Sequence, residues 1–183
     1  MSVLGAIRER LSGLFGAGER TGRVHAEHDD DVVVFLIGMR INAYWKLHRW
    51  LPVFLVAPRM VRELRRDDES GLLESWGFAS PPRTVGFVQY WDSFESLEAY
   101  ARDSDRLHLD AWDDYTDQAG EGAVGIWHET YRVSADEYET VYNNTPPRGL
   151  GAAAESDLVA ATGQRRSAAG RLDGGADPSP NRS

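Results

Sequence analysis

Thr84-Val85-Gly86-Phe87-Val88-Gln89-Tyr90-Trp91 runs straight into Asp92-Ser93-Phe94-Glu95-Ser96-Leu97-Glu98-Ala99-Tyr100. The first segment is β-branched and aromatic and follows Pro81-Pro82, so it reads as a strand entered from a turn. The second puts Phe94, Leu97 and Tyr100 or Ala101 on one helical face, behind Ser93 as N-cap. An aromatic-ended strand feeding a helix is a place where small α+β domains build pockets. Upstream, Leu72 to Ala79 reads as the hairpin partner of this strand. Downstream, Asp105 is expected to cap a helix over 106–119, Gly120 to Gly122 to end it, and Val124 to Val133 to form a further strand.

Val32-Val33-Val34-Phe35-Leu36-Ile37-Gly38-Met39 is apolar on both faces, and such a strand needs cover on both sides. Asn42 is the expected N-cap of the helix that follows. Its pattern starts at Tyr44 to Trp50, is interrupted or restarted at Pro52 and Pro58, and continues through Val53, Val56, Met60 and Leu64 to about Arg66. The resulting order, β-α-β-β-α-β, is the ferredoxin-like split arrangement of an α+β domain. Helices cover one face of that sheet. The other face is apolar here, so back-to-back packing between two subunits, a dimeric α+β barrel, is expected. Tyr138 to Tyr142 reads as a short extra strand.

The domain is expected over 24–150. Before it, residues 1–23 comprise an amphipathic helix, with Leu4, Ile7, Leu11, Leu14 and Phe15 on one face, and a linker. After it, 151–183 is rich in Ala, Gly, Ser, Arg and Asp and has no aromatic residue. Such a segment buries too little apolar surface to offset its ordering entropy, so a disordered C-terminal tail is expected.

The 183 residues suit one domain with tails, and an apolar fraction of 42% supports a packed core. A net charge of −9 argues against a nucleic-acid partner and against anionic membrane surfaces. The absence of cysteine excludes disulfides, thiolate metal sites and a cysteine nucleophile, which makes the cytoplasm the default compartment. No apolar run approaches the roughly 20 residues of a spanning helix. Lys46 is the only lysine, and acidic residues cluster at 29–31, 67–69 and 113–114. A salt-adapted surface and a GC-rich genome explain this bias equally well.

Chemistry is carried by histidines or not at all. His25 and His28 lie in a polar stretch and are expected to be solvated. His48 reads as a helix flank. His108 shares a helical face with Trp112, Tyr115 and Ala119, which sets an imidazole on an aromatic stripe. His128 alternates onto one strand face with Val124, Ile126, Thr130 and Arg132, while Trp127, Glu129 and Tyr131 point to the other. An imidazole there can serve as an acid–base group near neutral pH or as an axial haem ligand, with Arg40, Lys46 and Arg59 as cations for propionates. No phosphate loop, paired-histidine metal motif or serine elbow is present, and no metal site is expected.

The Trp91, Ser93, Glu95 and Leu97 spacing is similar to a pattern in the small dimeric α+β-barrel monooxygenases of antibiotic biosynthesis. More closely, three stretches resemble a bacterial and archaeal group known as monooxygenase family proteins. They are Val34 to Asn42, Gly125 to Tyr131, and Asn144-Thr145-Pro146-Pro147-Arg148-Gly149-Leu150. The resemblance spans about residues 24–152. A more distant one is to haem-containing aldoxime dehydratases, and it implies His108 as the iron ligand and His128 as a downstream acid–base group.

These resemblances imply a monooxygenase-like oxidoreductase acting on a small, largely apolar organic molecule, with a pocket between sheet and helices lined by Trp91, Trp112, Tyr115 and Trp127. His108 and His128 are its expected catalytic groups. No cofactor is required by that reading. The alternatives are a haem-binding protein or haem-dependent lyase, with His108 and Arg40 holding the haem, and a non-enzymatic ligand-binding barrel. A homodimer without nucleic-acid or membrane partners is expected.

Overall fold

Val32–Ile41 (β2) is the spine of the main sheet, paired antiparallel along its length with Thr84–Trp91 (β4) on one side and Val124–Val133 (β5) on the other. Leu72–Ser80 (β3) adds to the far side of β4, giving the strand order β3-β4-β2-β5. The computed structural model describes residues 22–103, 122–153 and 156–173. Two helices join these strands, Leu47–Leu64 (α1) between β2 and β3 and Phe94–Arg102 (α2) after β4. The order and antiparallel pairing are those of a ferredoxin-like α+β sheet. The second connecting helix, expected over 106–119, and the N-terminal helix lie outside the described residues.

Both helices cover one face of the sheet. Val33, Leu64, Trp91 and Leu97 form one buried cluster there, with Phe35, Leu72 and Tyr100 against it. Met39, Ile41 and Val124 form a second, with Trp50, Val53, Val85 and Ile126 packed around it. The odd-numbered residues of β2 therefore face the helices, and its even-numbered residues form the outer face.

α1 is continuous through Pro52 and Pro58, where the pattern suggested a break. Each proline removes one backbone donor. Burial of Trp50, Val53 and Leu64 against the sheet offsets that loss. Asn42 is not its cap. The preceding residue is Lys46, with no side-chain cap bond, and the Asn42 amide donates to the Gly122 carbonyl at 3.1 Å. At α2 the expected cap holds, since Ser93 Oγ accepts from the Ser96 amide at 3.1 Å.

On the outer face, Gly38 pairs with Gly86 across the sheet. The Trp127 ring lies over Gly38 and the Phe78 ring over Gly86, with ring centroids 6.2 Å apart. A β-carbon on Gly86 would overlap the Ile37 carbonyl as well as the Phe78 ring. Backbone cannot yield as a side-chain tip can, so Gly86→Ala is expected to destabilise by about 2 kcal/mol, read as a lowered urea midpoint. At Gly38 the nearest atoms belong to the Trp127 ring, a side chain that can shift, so Gly38→Ala is expected to cost less.

A second sheet has three strands. Its centre is Arg23–Glu27 (β1), flanked by Tyr142–Asn143 (β6) and Asp157–Ala160 (β7), both antiparallel. The disordered tail expected from residue 151 is thus corrected over 156–173. β7 pairs along β1, a short helix spans Ala168–Leu172 (α3), and Arg171 Nε lies 2.6 Å from Glu139 Oε2. Backbone pairing supplies the order that this apolar-poor stretch lacks. The 3-10 turn Gly149–Ala152 docks this sheet onto the main one, with Gly149 at φ +57° packed on the Tyr90 ring at the outer face. No helix among the described residues is long and apolar enough to cross a membrane.

Candidate functional site

In an antiparallel pair, residues directly opposite one another share a face. The register of the main sheet therefore lays out its helix-covered side row by row. Ser75, Gln89, Phe35 and Thr130 form one row across the four strands. Gly77, Phe87, Ile37 and His128 form the next. These two rows lie between the two buried clusters. Phe35, Ile37 and Phe87 are only half-buried there, and His128 and Thr130 are exposed. The His128 ring stands 5.6 Å from the Phe35 ring.

The polar members of these rows differ in setting. Ser75 and Gln89 are buried side by side. Gln89 Oε1 accepts from the Trp91 indole N–H at 3.2 Å. Ser75 Oγ has no hydrogen-bond partner among the described residues. A buried hydroxyl left unpaired costs free energy, so it marks a position where a ligand polar group is welcome. Neither residue stands out from the sequence alone. The one signal was Gln89 itself, a polar residue at an inward position of an otherwise apolar strand.

Two of the expected site residues lie on this face, well apart from one another. His128 stands at its exposed rim, and Trp91 is fully buried at one end, in the first cluster. Trp127 does not join them, because it sits on the outer face over Gly38. Arg40 lies on the outer side of β2, and His108, its expected partner in holding a haem, lies outside the described residues, as do Trp112 and Tyr115. No group of three or more His, Asp or Glu among the described residues is arranged to hold a metal ion.

His25 and His28, expected to be solvated, are buried instead. They line a cavity of about 360 Å³ beside β1, together with Tyr138, Glu139, Arg165 and Arg171. Arg165 is paired with Glu27 at 2.6 Å, and Tyr138 donates to the backbone carbonyls of His28 and Asp30. Burial and the Asp30, Asp29 and Asp31 charges push the Tyr138 hydroxyl up to about 12. Burial lowers the His25 pKa below its ordinary 6.5, with Glu27 opposing and Arg165 reinforcing the shift. A histidine depressed in the folded state takes its proton more readily when unfolded, so stability falls as pH drops below about 6.5. Unfolding midpoints between pH 7.5 and 5.5 should show that loss, and His25→Gln should flatten it.

The chain is similar to known proteins at two levels. Residues 32–150 match the model of the monooxygenase af470-like family. Monooxygenase af470 of Aspergillus fumigatus is 33% identical over 136 residues, which are 66% of this chain and 45% of that protein. The chain thus spans less than half the length of its curated relative. Among solved structures, an aldoxime dehydratase superposes with a TM-score of 0.59 at 20% identity, covering 80% of this chain and 44% of that one. A second, co-crystallised with butyraldoxime, gives 0.55 at 18%, covering 71% and 39%. SnoaB, a cofactor-independent oxygenase from Streptomyces nogalater, gives 0.40 at 11%, covering 55% and 91%. The dehydratase superpositions agree with the ferredoxin-like sheet, and the family model takes in both α1 and α2 and every strand of that sheet. The chain belongs to the monooxygenase af470-like family.

Proposed function

We propose that the chain is a monooxygenase-like oxidoreductase that acts on a small, largely apolar organic molecule held between the main sheet and its helices. One observation carries this reading. The middle of the helix-covered face, with Phe35, Ile37 and Phe87 half-buried and His128 at the rim, lies between two separately packed clusters. A mostly apolar lining with a few convergent polar groups is the usual make-up of a small-molecule site. Membership of a monooxygenase-named family supports the reaction class. Fold alone would not.

In this reading the apolar rows grip the substrate, Ser75 and Gln89 take a hydroxyl or carbonyl of it, and His128 removes a proton from an activated methylene. The methylene then reacts with dioxygen to give a carbonyl and water. The substrate supplies all four electrons, so no cofactor is required. His108, Trp112 and Tyr115 complete the pocket. The protein works as a cytoplasmic homodimer, its outer sheet face, with Val34, Leu36, Phe78 and Trp127, set against a second copy.

Oxygen uptake by the purified protein with an anthrone as probe tests this. The expected result is saturable turnover with one dioxygen consumed per quinone formed. Turnover no faster than buffer would overturn it. A Soret band lost in His108→Ala would instead assign a haem-dependent lyase. Ligand binding that survives His108→Ala and His128→Ala but not Trp112→Ala would assign a non-enzymatic barrel.

A further inference from the structure

Residues 40–66 hold Arg40, Lys46, Arg49, Arg59, Arg62, Arg65 and Arg66 against Glu63 alone, a net +6 in a chain whose total is −9. The same stretch carries the densest group of exposed large apolar side chains among the described residues. Trp45 is 77% exposed, Leu47 55% and Leu55 51%, with Tyr44, Leu51 and Phe54 beside them. The two features share one surface at Arg59, Arg62 and Arg66, whereas Arg40 lies on the outer sheet face and Arg65 is paired with Glu74. Leu47, Leu51 and Leu55 recur every fourth residue along α1, so they form one stripe on the side away from Leu64, which faces the sheet. Arg59, Arg62 and Arg66 continue that outward side along the second half of the helix and beyond its end, and all three are exposed.

We propose that this outward face of α1 docks on an anionic lipid surface, with Trp45 and the leucine stripe in the headgroup–acyl boundary and the arginines on headgroup phosphates. An exposed apolar stripe continued by basic residues is the make-up of an interfacial helix. Charge complementarity selects an anionic lipid surface over a twofold contact of this face with its own copy, which would set one arginine-rich face against another. The separation of charge also orients the molecule, because the acidic remainder is repelled while the +6 stretch is drawn in. The whole-chain total of −9 masks this local excess, because a net negative charge by itself argues against such a surface. The inference is independent of the reaction assigned to the opposite side of the helix.

Co-sedimentation of the 183-residue chain with vesicles tests it. One set is phosphatidylcholine alone and the other contains phosphatidylglycerol. Partition to the anionic vesicles at low ionic strength is expected to be at least about tenfold stronger, and to weaken as added salt shortens the screening length. Leu51→Ser with Leu55→Ser is expected to weaken it by about tenfold per leucine. Arg59→Gln with Arg62→Gln should cost about fivefold per arginine. No partition of the unmodified chain at low salt would overturn the proposal, as would equal partition of both variants. A dimer in solution that the leucine variant splits would overturn it too, by giving the face to a second copy.

Discussion

Trp91→Ala is expected to destabilise the protein by about 4 kcal/mol. Trp91 is 0% exposed, and it is the largest side chain that the described fold buries completely. It closes the cluster in which Val33 of the central strand meets Leu64 of α1 and Leu97 of α2. Its ring stands 5.7 Å from that of Tyr100. Truncation removes the transfer free energy of an indole and leaves a cavity between three elements that cannot all close in. It also strips Gln89 Oε1 of its donor in a buried setting, which adds about 1 kcal/mol. Against a typical total of roughly 5–15 kcal/mol, such a loss leaves a detectably unfolded fraction or a collapsed urea midpoint. Trp91→Phe keeps most of the volume and loses the N–H, so it is expected to fall between the two. A midpoint within error of the parent for Trp91→Ala would mean that this end of the sheet is not the core.

The four strands of the main sheet are legible because each is a run of 8 to 10 residues rich in β-branched and aromatic side chains, and because turn chemistry bounds them. Pro81-Pro82 and the Gly120 to Gly122 stretch mark two boundaries before any pairing is known. β1 and β7 were not legible. Arg23-Val24-His25-Ala26-Glu27 and Asp157-Leu158-Val159-Ala160 are short and half polar, and what orders them is the backbone ladder between them. A ladder has no side-chain signature, so burial of His25 and His28 could not be anticipated from their polar neighbours. The prolines of α1 misled in the opposite direction. Their local penalty is real, and it is outweighed by packing that only the sheet provides.

For the site, alternation proved a better guide than proximity. Trp127 and His128 are adjacent in sequence, which suggests one pocket for both. The period of two that placed His128 with Ile126 and Thr130 had already sent Trp127 to the other face. Gln89 and Ser75 needed more than periodicity. They lie on different strands, and only the register of β3 against β4 makes them neighbours. Pairwise register of that kind is a property of the folded sheet and is not written in either strand alone.

His128→Ala is expected to lower anthrone turnover about 10³-fold, with a much smaller change in KM. The proposed role is removal of a proton in the rate-determining step, which truncation abolishes without emptying the apolar rows that bind substrate. The fold should barely notice. His128 is exposed on β5, an outermost strand of the sheet, and its one described ring contact is with Phe35. Unfolding midpoints of parent and variant are therefore expected to agree within about 0.5 kcal/mol. His48→Ala, an exposed histidine on the outward side of α1, is the matched control and should leave turnover unchanged. Thr130→Val separates position from chemistry. It neighbours His128 on the same face of β5 and has no group that titrates near neutrality, so a loss comparable to that of His128→Ala would point to a disturbed surface rather than a missing base. If His128→Ala turns over within about threefold of the parent, the proton acceptor lies elsewhere. The imidazole at the rim then has no part in the chemistry.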